Sequence, residues 1–315
     1  MHFRTKFPLV SCDLLNWFPG HMNKGMKQIQ QKLNQIDCII EVHDARIPLT
    51  GRNADFQHNV LGIKPHILVF NKSDLIEKRY ENKIIDSLRH DSYGEQHILF
   101  TSCKKKNCKG LKRMLPLAQS LINNSGRFNR TAQKDFCIMI IGIPNVGKSS
   151  LINVLRNQNL SKKGATPVGA IAGVTRTVLN RIKICEEPSI YLLDTPGILL
   201  PNINDIEMGL RLALVASLHD HLVGEELIAD YLLYLLNKQR NYRYVDVMGL
   251  QKPTDSIAAT LIDNAVIFDK MIQTRLFNGT VVARPDVKTA AKYMLKCFRT
   301  GKLGKVLLDL DKITN

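Results

Sequence analysis

The spacing Gly-x-x-x-x-Gly-Lys-Ser of a phosphate-binding loop occurs at residues 142–149. In such a loop the glycines let backbone N–H groups turn toward phosphates, the lysine reaches the β- and γ-phosphates, and the serine hydroxyl binds Mg²⁺. An apolar run precedes the motif and a helical pattern follows it, which is the context in which this loop binds nucleotides. The predicted nucleotide-binding residues are Asn145, Val146, Gly147, Lys148, Ser149 and Ser150.

A second group of residues indicates which base is bound. Asn71, Lys72 and Asp74 form the pattern Asn-Lys-x-Asp after another apolar run. An aspartate carboxylate accepts hydrogen bonds from both N1–H and the exocyclic amine of guanine, whereas adenine offers no such pair of donors. Lys72 can cover the base with its methylenes, Asn71 can tie this loop to the phosphate loop, and a backbone N–H at Ser102 or Cys103 can reach the guanine carbonyl. The two groups together predict a site for GTP rather than ATP.

A third motif, Asp-x-x-Gly, is expected to complete the magnesium site. Asp194 supplies the carboxylate that supports Mg²⁺, and the N–H of Gly197 is placed to sense the γ-phosphate. A threonine in the nucleotide-sensing switch segment must also bind the Mg²⁺ ion. Thr175 is the preferred candidate because a glycine lies two residues before it and a strand-like run follows, and Thr166 and Thr177 are the alternatives.

Short apolar runs alternating with amphipathic helical segments must position these motifs. Strands are predicted at 38–42, 66–70, 98–100, 137–141 and 189–193. Helices are predicted between them, at about 76–90 and 109–123 and from Ser149 onward. This alternation is typical of a mostly parallel α/β sheet with helices on both faces, in which ligands bind at the carboxyl ends of the strands. After residue 201 only helical patterns remain, at about 205–219, 224–238, 254–270 and 286–300.

The amino-acid composition narrows the classes of molecule that this protein could bind. The chain of 315 residues carries 44 Lys+Arg against 28 Asp+Glu, a formal net charge of +16, which favours a polyanionic partner such as nucleic acid or an anionic membrane surface. Residues 101–130 contain no acidic residue, and Lys288, Lys292, Lys296 and Arg299 share one face of a predicted helix. The seven cysteines are odd in number and form no Cys-x-x-Cys pair, so a reducing compartment is expected.

The order of the motifs separates this chain from ordinary GTPases, because Asn71 precedes Lys148. The GTP-binding motifs are therefore circularly permuted. The sequence resembles the permuted ribosome-assembly GTPases of the YlqF/RbgA type, and their mitochondrial members in particular, over nearly its whole length. The segments that carry the resemblance are 17–22, 40–48, 142–150, 194–197 and 220–226. One position departs from the family pattern, since Ala172 stands where a proline usually precedes the switch glycine.

The resemblance implies a circularly permuted P-loop GTPase domain followed by a smaller all-α domain. We expect an N-terminal extension at 1–20, compatible with a short transit segment, the GTPase domain at 21–203, and a basic helical domain at 204–315 that binds RNA or the ribosome. The resemblance also implies that His21 is catalytic, because Ile198 stands where Ras-like enzymes have a water-orienting glutamine. A loop histidine that caps a turn is the alternative for His21. Lys148 and Thr175 complete the catalytic set, and Asn145 matches an asparagine that binds K⁺.

Three functions remain open from the sequence. The first is GTP hydrolysis to GDP and phosphate, stimulated by the large subunit of the mitochondrial ribosome, in support of its assembly and of mitochondrial translation. Such a protein would act in the matrix, and peripheral contact with the inner membrane is compatible with it. The second is a GTP-regulated module that binds a membrane or an unrelated RNA. The third is a signalling GTPase, which the basic helical region disfavours.

Overall fold

The computed structural model describes most of the chain. The described residues are 3–8, 31–52, 64–90, 97–105, 107–127, 130–160, 181–194, 203, 205–275, 277 and 280–313. They form two compact units. The sheet unit contains the described residues from 31 to 203 together with 307–313, and the helical unit contains 3–8 and 205–306.

In the described part of the sheet unit, six strands form one sheet. They are β1 (Cys38–Asp44), β2 (His66–Asn71), β3 (His97–Phe100), β4 (Phe136–Ile141), β5 (Arg181–Cys185) and β6 (Ile190–Asp194). Three α-helices accompany them in the described part of this unit's main segment, namely α1 (Arg79–His90), α2 (Lys109–Asn124) and α3 (Lys148–Asn159). The five strands predicted from apolar runs are confirmed.

The strand order is β3-β2-β1-β4-β6-β5. All neighbours pair in parallel except β5, which runs antiparallel to β6 at the edge. Every residue of β1 and β4 is buried, because these central strands are covered on both faces. This explains why β4 is a continuous apolar run, and why β1 begins as one, rather than showing an alternating pattern. The carboxyl ends of β1, β2, β3, β4 and β6 therefore meet at one edge of the sheet.

The helical unit consists mainly of helices. They are α4 (Ile206–Leu214), α5 (Asp220–Val223), α6 (Glu225–Lys238), α7 (Arg243–Met248), α8 (Ile257–Ile267) and α9 (Val287–Thr300). Three helices have an N-cap residue whose side chain accepts a hydrogen bond from a backbone N–H of the first turn. These N-caps are Asp205 for α4, Ser256 for α8 and Asp286 for α9. None of the helices in the described part of the chain is both long and apolar enough to cross a membrane.

One element contradicts the prediction that only helices follow residue 201. Strands β7 (Met271–Arg275) and β8 (Val281–Pro285) form an antiparallel two-stranded ribbon between α8 and α9. The sequence did carry a signal for it, since Asn278-Gly279 between two β-branched runs favours a tight hairpin. The helical pattern predicted at 254–270 ends earlier, at Ile267, where the chain turns into this ribbon.

Two short segments pack far from their sequence neighbours. At the start of the chain, the Arg4 guanidinium binds the carboxylates of Asp230 and Asp255, and Phe7 packs edge-on against Tyr231 with ring centroids 5.1 Å apart. These residues are thus part of the helical unit's packing. At the other end, the tail at 307–313, which includes the short helix α10 (Leu310–Ile313), returns to the sheet unit and packs beside α1.

Candidate functional site

The phosphate loop leads from β4 into α3 through two glycines that the fold requires. Gly142 has φ +147°, and a Cβ atom there would lie 2.1 Å from the carbonyl oxygen of Val42 in β1. Gly147 has φ +99°, and its Cβ would lie 2.4 Å from the side-chain nitrogen of Asn71. Both positions combine a backbone conformation that disfavours side chains with a contact that excludes one. The loop is thereby held against the ends of β1 and β2.

The loop's polar residues lie where phosphate contacts are expected. Lys148 is buried at the start of α3, and its ammonium donates to the carbonyl oxygens of Gly142 and Ile143, each at 2.9 Å. Ser149 and Ser150 follow in the first turn and are exposed. The lysine is therefore held inside the curve of the loop, at the N-terminal end of a helix, where unpaired N–H groups and the helix dipole favour a negative charge.

The predicted base-recognition loop contacts the phosphate loop directly. The side-chain amide of Asn71 donates to the carbonyl oxygen of Val146 at 2.8 Å, and the ammonium of Lys72 donates to that of Asn145 at 2.6 Å. Lys72 adopts the left-handed conformation, with φ 60°, which turns the chain sharply after β2. The two motifs therefore form one structure, joined by a contact between Asn71 and Val146, which stand 75 residues apart in sequence.

The segment after β3 completes this group. The hydroxyl of Ser102 donates to the Asp74 carboxylate at 2.6 Å, while the Thr101 hydroxyl donates to the side-chain oxygen of Asn71 at 3.2 Å. The Cys103 thiol lies 3.5 Å from the same oxygen, and burial raises its pKa to about 11, so it stays protonated at neutral pH. These contacts fix the orientation of the Asn71 amide and of the Asp74 carboxylate.

The end of β1 contributes a carboxylate that the sequence analysis did not include in the site. Asp44 is fully buried and binds the Arg46 guanidinium with both oxygens, at 2.9 and 2.7 Å, and the Lys72 ammonium at 2.9 Å. Burial would raise the pKa of the Asp44 carboxyl, but the charges of Arg46 and Lys72 outweigh it and hold the pKa far below its usual range. The sequence signal for this residue was its position just after an apolar run, as Asn71 stands just after the next apolar run along the chain.

A second buried carboxylate lies on β1, three residues earlier. Glu41 lies between two histidines, with Oε1 2.7 Å from His43 Nε2 and Oε2 3.0 Å from His66 Nε2. Burial raises the pKa of Glu41, whereas the interactions with the two histidines lower it by more, so the net shift is downward. This carboxylate is therefore charged at neutral pH, and it lies beside histidines of both β1 and the neighbouring strand β2.

Comparison with known proteins decides the family. A model of the family described as 50S ribosome-binding GTPase matches residues 137–261. Mitochondrial GTPase 1 of Aedes aegypti is 63% identical over 310 residues, which cover 98% of each chain. The chain belongs to the mitochondrial GTPase 1 family. Mitochondrial ribosome-associated GTPase 1 of Bos taurus, another relative, is 48% identical over 98% of this chain and 92% of its own length.

Solved structures agree with the fold of this mitochondrial GTPase 1 family member. YlqF from T. maritima in its GNP-bound form superposes with a TM-score of 0.56 and covers 90% of this chain and 97% of its own, at 21% identity. The permuted order of motifs and the mostly parallel sheet are thus confirmed together. As a member of this family the protein is a GTPase, and the reaction is hydrolysis of GTP to GDP and phosphate.

Like other GTPases, members of this family act on the nucleotide together with Mg²⁺. The two predicted ligands have oxygen atoms of the kind that Mg²⁺ prefers: Ser149, in the first turn of α3, has a hydroxyl group, and Asp194 is by residue type a carboxylate. Asp194 ends β6, and its backbone is in register with Ile140 of the neighbouring β4. The residue types at these two positions therefore fit a magnesium ion.

Several predicted residues lie outside the part of the chain that the structure describes. These are His21, Thr175, Gly197 and the side chain of Asp194, together with the alternative threonines Thr166 and Thr177. Among the described residues, the structure brings together Asn71, Lys72, Asp74, Ser102, Cys103, Asn145, Val146, Gly147 and Lys148 at one edge of the sheet, with Ser149 and Ser150 at the start of α3.

Proposed function

We propose that this GTPase binds the large subunit of the mitochondrial ribosome, supports its maturation and thereby supports mitochondrial translation, acting in the matrix. The observation that carries the proposal is similarity along nearly the whole chain to proteins named mitochondrial ribosome-associated GTPase 1 and mitochondrial GTPase 1. The excess of basic residues supports it, because ribosomal RNA is a polyanion.

In this proposal the nucleotide site works by positioning. Asp74 accepts from the guanine edge, Lys72 covers the base, and Asn71 holds the base loop against the phosphate loop. Lys148 neutralises the β- and γ-phosphates, and Ser149 supplies an oxygen to Mg²⁺. The contacts between Asn71 and Val146 and between Ser102 and Asp74 support these roles, since they pre-orient the groups that would meet GTP.

Hydrolysis itself requires residues beyond this group. We propose His21 as the group that orients the attacking water, Thr175 and Asp194 as magnesium ligands or supports, and Gly197 as the sensor of the γ-phosphate. Asn145 is proposed to bind K⁺, which would supply positive charge near the phosphates where other GTPases use an arginine. Turnover that is unchanged when Na⁺ replaces K⁺ would count against the cation. For the histidine, undiminished ribosome-stimulated hydrolysis by a His21→Ala protein would count against its role.

The surfaces proposed for ribosomal RNA are those where basic side chains remain exposed. In the sheet unit they are Lys104, Lys105, Lys109, Lys112 and Arg113. In the helical unit they are Lys288, Lys292 and Lys296 on α9, together with Lys270, Arg275 and Arg284 at or on the β7–β8 ribbon. Lys288 and Lys292 lie 3.8 and 3.6 Å from the largely buried carboxylate of Glu225, but the two lysine side chains are themselves 61% and 56% exposed and can therefore also face phosphates.

Three arginines of the two basic segments noted in the sequence, residues 101–130 and the helix face of Lys288 to Arg299, have partners within their own units. Arg127 and Arg130 both bind the buried carboxylate of Asp37, and Arg299 binds both oxygens of Asp220 and the carbonyl oxygens of Ala213 and Leu214. These side chains stabilise their own units, because each is tied to partners within the unit. The proposed contacts therefore exclude them.

The test is binding of the purified protein, loaded with a GTP analogue, to isolated large mitochondrial ribosomal subunits at several salt concentrations. Replacing Lys288, Lys292 and Lys296 by glutamine should weaken binding and reduce its salt dependence, by counterion release, while GTP affinity is preserved. The matched control replaces three exposed lysines of the sheet unit, Lys78, Lys83 and Lys134, and removes the same charge. Equal salt slopes for both triple variants would contradict the assigned surface.

A second candidate function, membrane binding, has one observation in its favour. Large apolar side chains are exposed on α8 and on the ribbon, among them Val266, Ile267, Phe268, Met271, Ile272, Val281 and Val282. Apolar side chains beside basic ones are typical of proteins that lie on anionic membranes. Sedimentation with cardiolipin-containing vesicles, but not with neutral ones, would favour this function, and it would be refuted by equal recovery from both.

A further inference from the structure

Lys72 has a long, flexible side chain, yet two groups fix the position of its ammonium. One is the carbonyl oxygen of Asn145 in the phosphate loop, at 2.6 Å, and the other is the carboxylate of Asp44, at 2.9 Å. The side chain of Lys72 is only 27% exposed, so its charge is partly removed from water. A partly buried ammonium needs a paired carboxylate to remain charged and in place.

Asp44 is suited to provide that pairing. It ends β1 in register with Asn71 at the end of β2, so its position is set by the sheet rather than by a loop. The guanidinium of Arg46 holds it with two hydrogen bonds, and the backbone N–H of Arg46 donates to it as well, at 3.0 Å. The carboxylate is therefore immobile and charged before any nucleotide binds.

We propose that Asp44 is a positioning residue for guanine-nucleotide binding: it fixes the Lys72 ammonium so that the lysine's methylenes lie across the base and its charge lies against the phosphate loop. Loss of the Asp44 charge leaves Lys72 with the Asn145 contact alone. The lysine then samples other rotamers, and nucleotide binding must restore the productive one. This inference rests on the proposed role of Lys72 at the base.

A purely structural role for Asp44 would look different, and the same strand provides the comparison. Asp37, just before β1 at its other end, is also fully buried, and it binds two guanidinium groups, those of Arg127 and Arg130, where Asp44 binds one guanidinium and one ammonium. Its carboxylate additionally accepts from the backbone N–H of Cys137 at 2.8 Å. Asp37 therefore shares the burial and the arginine pairing of Asp44, but among its recorded contacts there is none to the nucleotide loops.

The experiment is a double-mutant cycle on the affinity of the full-length protein for a fluorescent GDP analogue. It compares the wild type, Asp44→Asn, Lys72→Met and the double variant, with Asp37→Asn as the matched control and thermal melting as the measure of folding. We expect Asp44→Asn to weaken GDP binding about tenfold, or about 1.4 kcal/mol. In the Lys72→Met background the same change should alter affinity by less than about twofold, because its effect passes through the lysine.

Each possible result of this cycle either supports or contradicts the positioning role of Asp44. Asp37→Asn should lower the melting temperature and leave GDP affinity of the folded protein unchanged. An equal loss from Asp44→Asn in both backgrounds, or no loss in either, would overturn the positioning role. Unchanged GDP affinity of Lys72→Met would instead refute the role proposed for Lys72 itself. If Asp44→Asn does not fold, Asp44→Glu, which keeps the charge and moves it, is judged by the same cycle.

Discussion

Removal of the Asp309 carboxylate is expected to release the loop that follows β1. Asp309 lies on the tail that returns to the sheet unit and is fully buried. Its carboxylate accepts from the backbone N–H groups of Leu49 and Thr50, at 2.9 and 2.8 Å, and from the Thr50 hydroxyl at 2.5 Å. The next hydrogen bond along the tail joins the N–H of Leu308 to the carbonyl oxygen of Arg46, at 2.8 Å.

The magnitude follows from these contacts. Hydrogen bonds to a charged group contribute about 1.5–3 kcal/mol each, and Asp309→Ala removes three. Because the three share one carboxylate, their contributions are not additive, and we expect a loss of about 3–5 kcal/mol, less than their sum, for local opening of the loop. Thr50→Val, which removes only the hydroxyl, should cost about 1–2 kcal/mol. Because the loop carries Arg46, which holds Asp44, a weaker affinity for GDP should accompany the larger change.

Hydrogen exchange measured by mass spectrometry on peptides covering residues 45–52 is the appropriate assay, since it reports the amides that Asp309 binds. A loss of 3 kcal/mol corresponds to exchange about 100-fold faster at Leu49 and Thr50 when exchange follows the opening equilibrium. Asp311→Ala, on the same tail but at an exposed position, is the control and should leave these amides unchanged. Equal protection in the wild type and Asp309→Ala would refute the assigned role of the tail.

Three further predictions concern other parts of the molecule. Gly147→Ala should abolish tight GTP binding, measured by calorimetry, because the added Cβ would lie 2.4 Å from the Asn71 amide at a residue with φ +99°. A GTP affinity within a factor of two of the wild type would contradict this steric argument. Arg4→Ala should destabilise the helical unit by about 2 kcal/mol in urea titration, because it leaves two half-buried carboxylates without their cation. An unchanged midpoint would show that the Arg4 ion pairs add nothing to the free energy of unfolding. The pKa values of Asp44 and Glu41 are lowered in the fold. Their contribution to stability is therefore present above about pH 4 and is lost as pH falls toward the folded-state pKa values. A melting temperature that does not fall between pH 5 and pH 3 would contradict this prediction.

Most of the fold was predictable, for a reason that particular strands illustrate. β4 is buried on both faces, so its residues form an unbroken apolar run that ends where the phosphate loop begins. β1 is equally buried and begins with an apolar run, but its second half also carries Glu41 and His43. The ribbon of β7 and β8 was missed because its residues are exposed on both faces and therefore show neither an apolar run nor a clear alternation. Only the Asn278-Gly279 turn signal marked it.

The candidate site likewise has a part that the sequence predicted and a part that it did not. By itself the sequence determined that the chain binds a guanine nucleotide through permuted motifs, because phosphate loops and Asn-Lys-x-Asp patterns depend on residue type and local spacing. Only the tertiary structure showed that Asp44 joins the site and that Arg299 is tied within its own unit. Both facts depend on which groups a charged side chain meets across 28 to 79 residues of chain, and local pattern carries no information about such partners. A charged residue's role is decided by the partner that the fold brings to it.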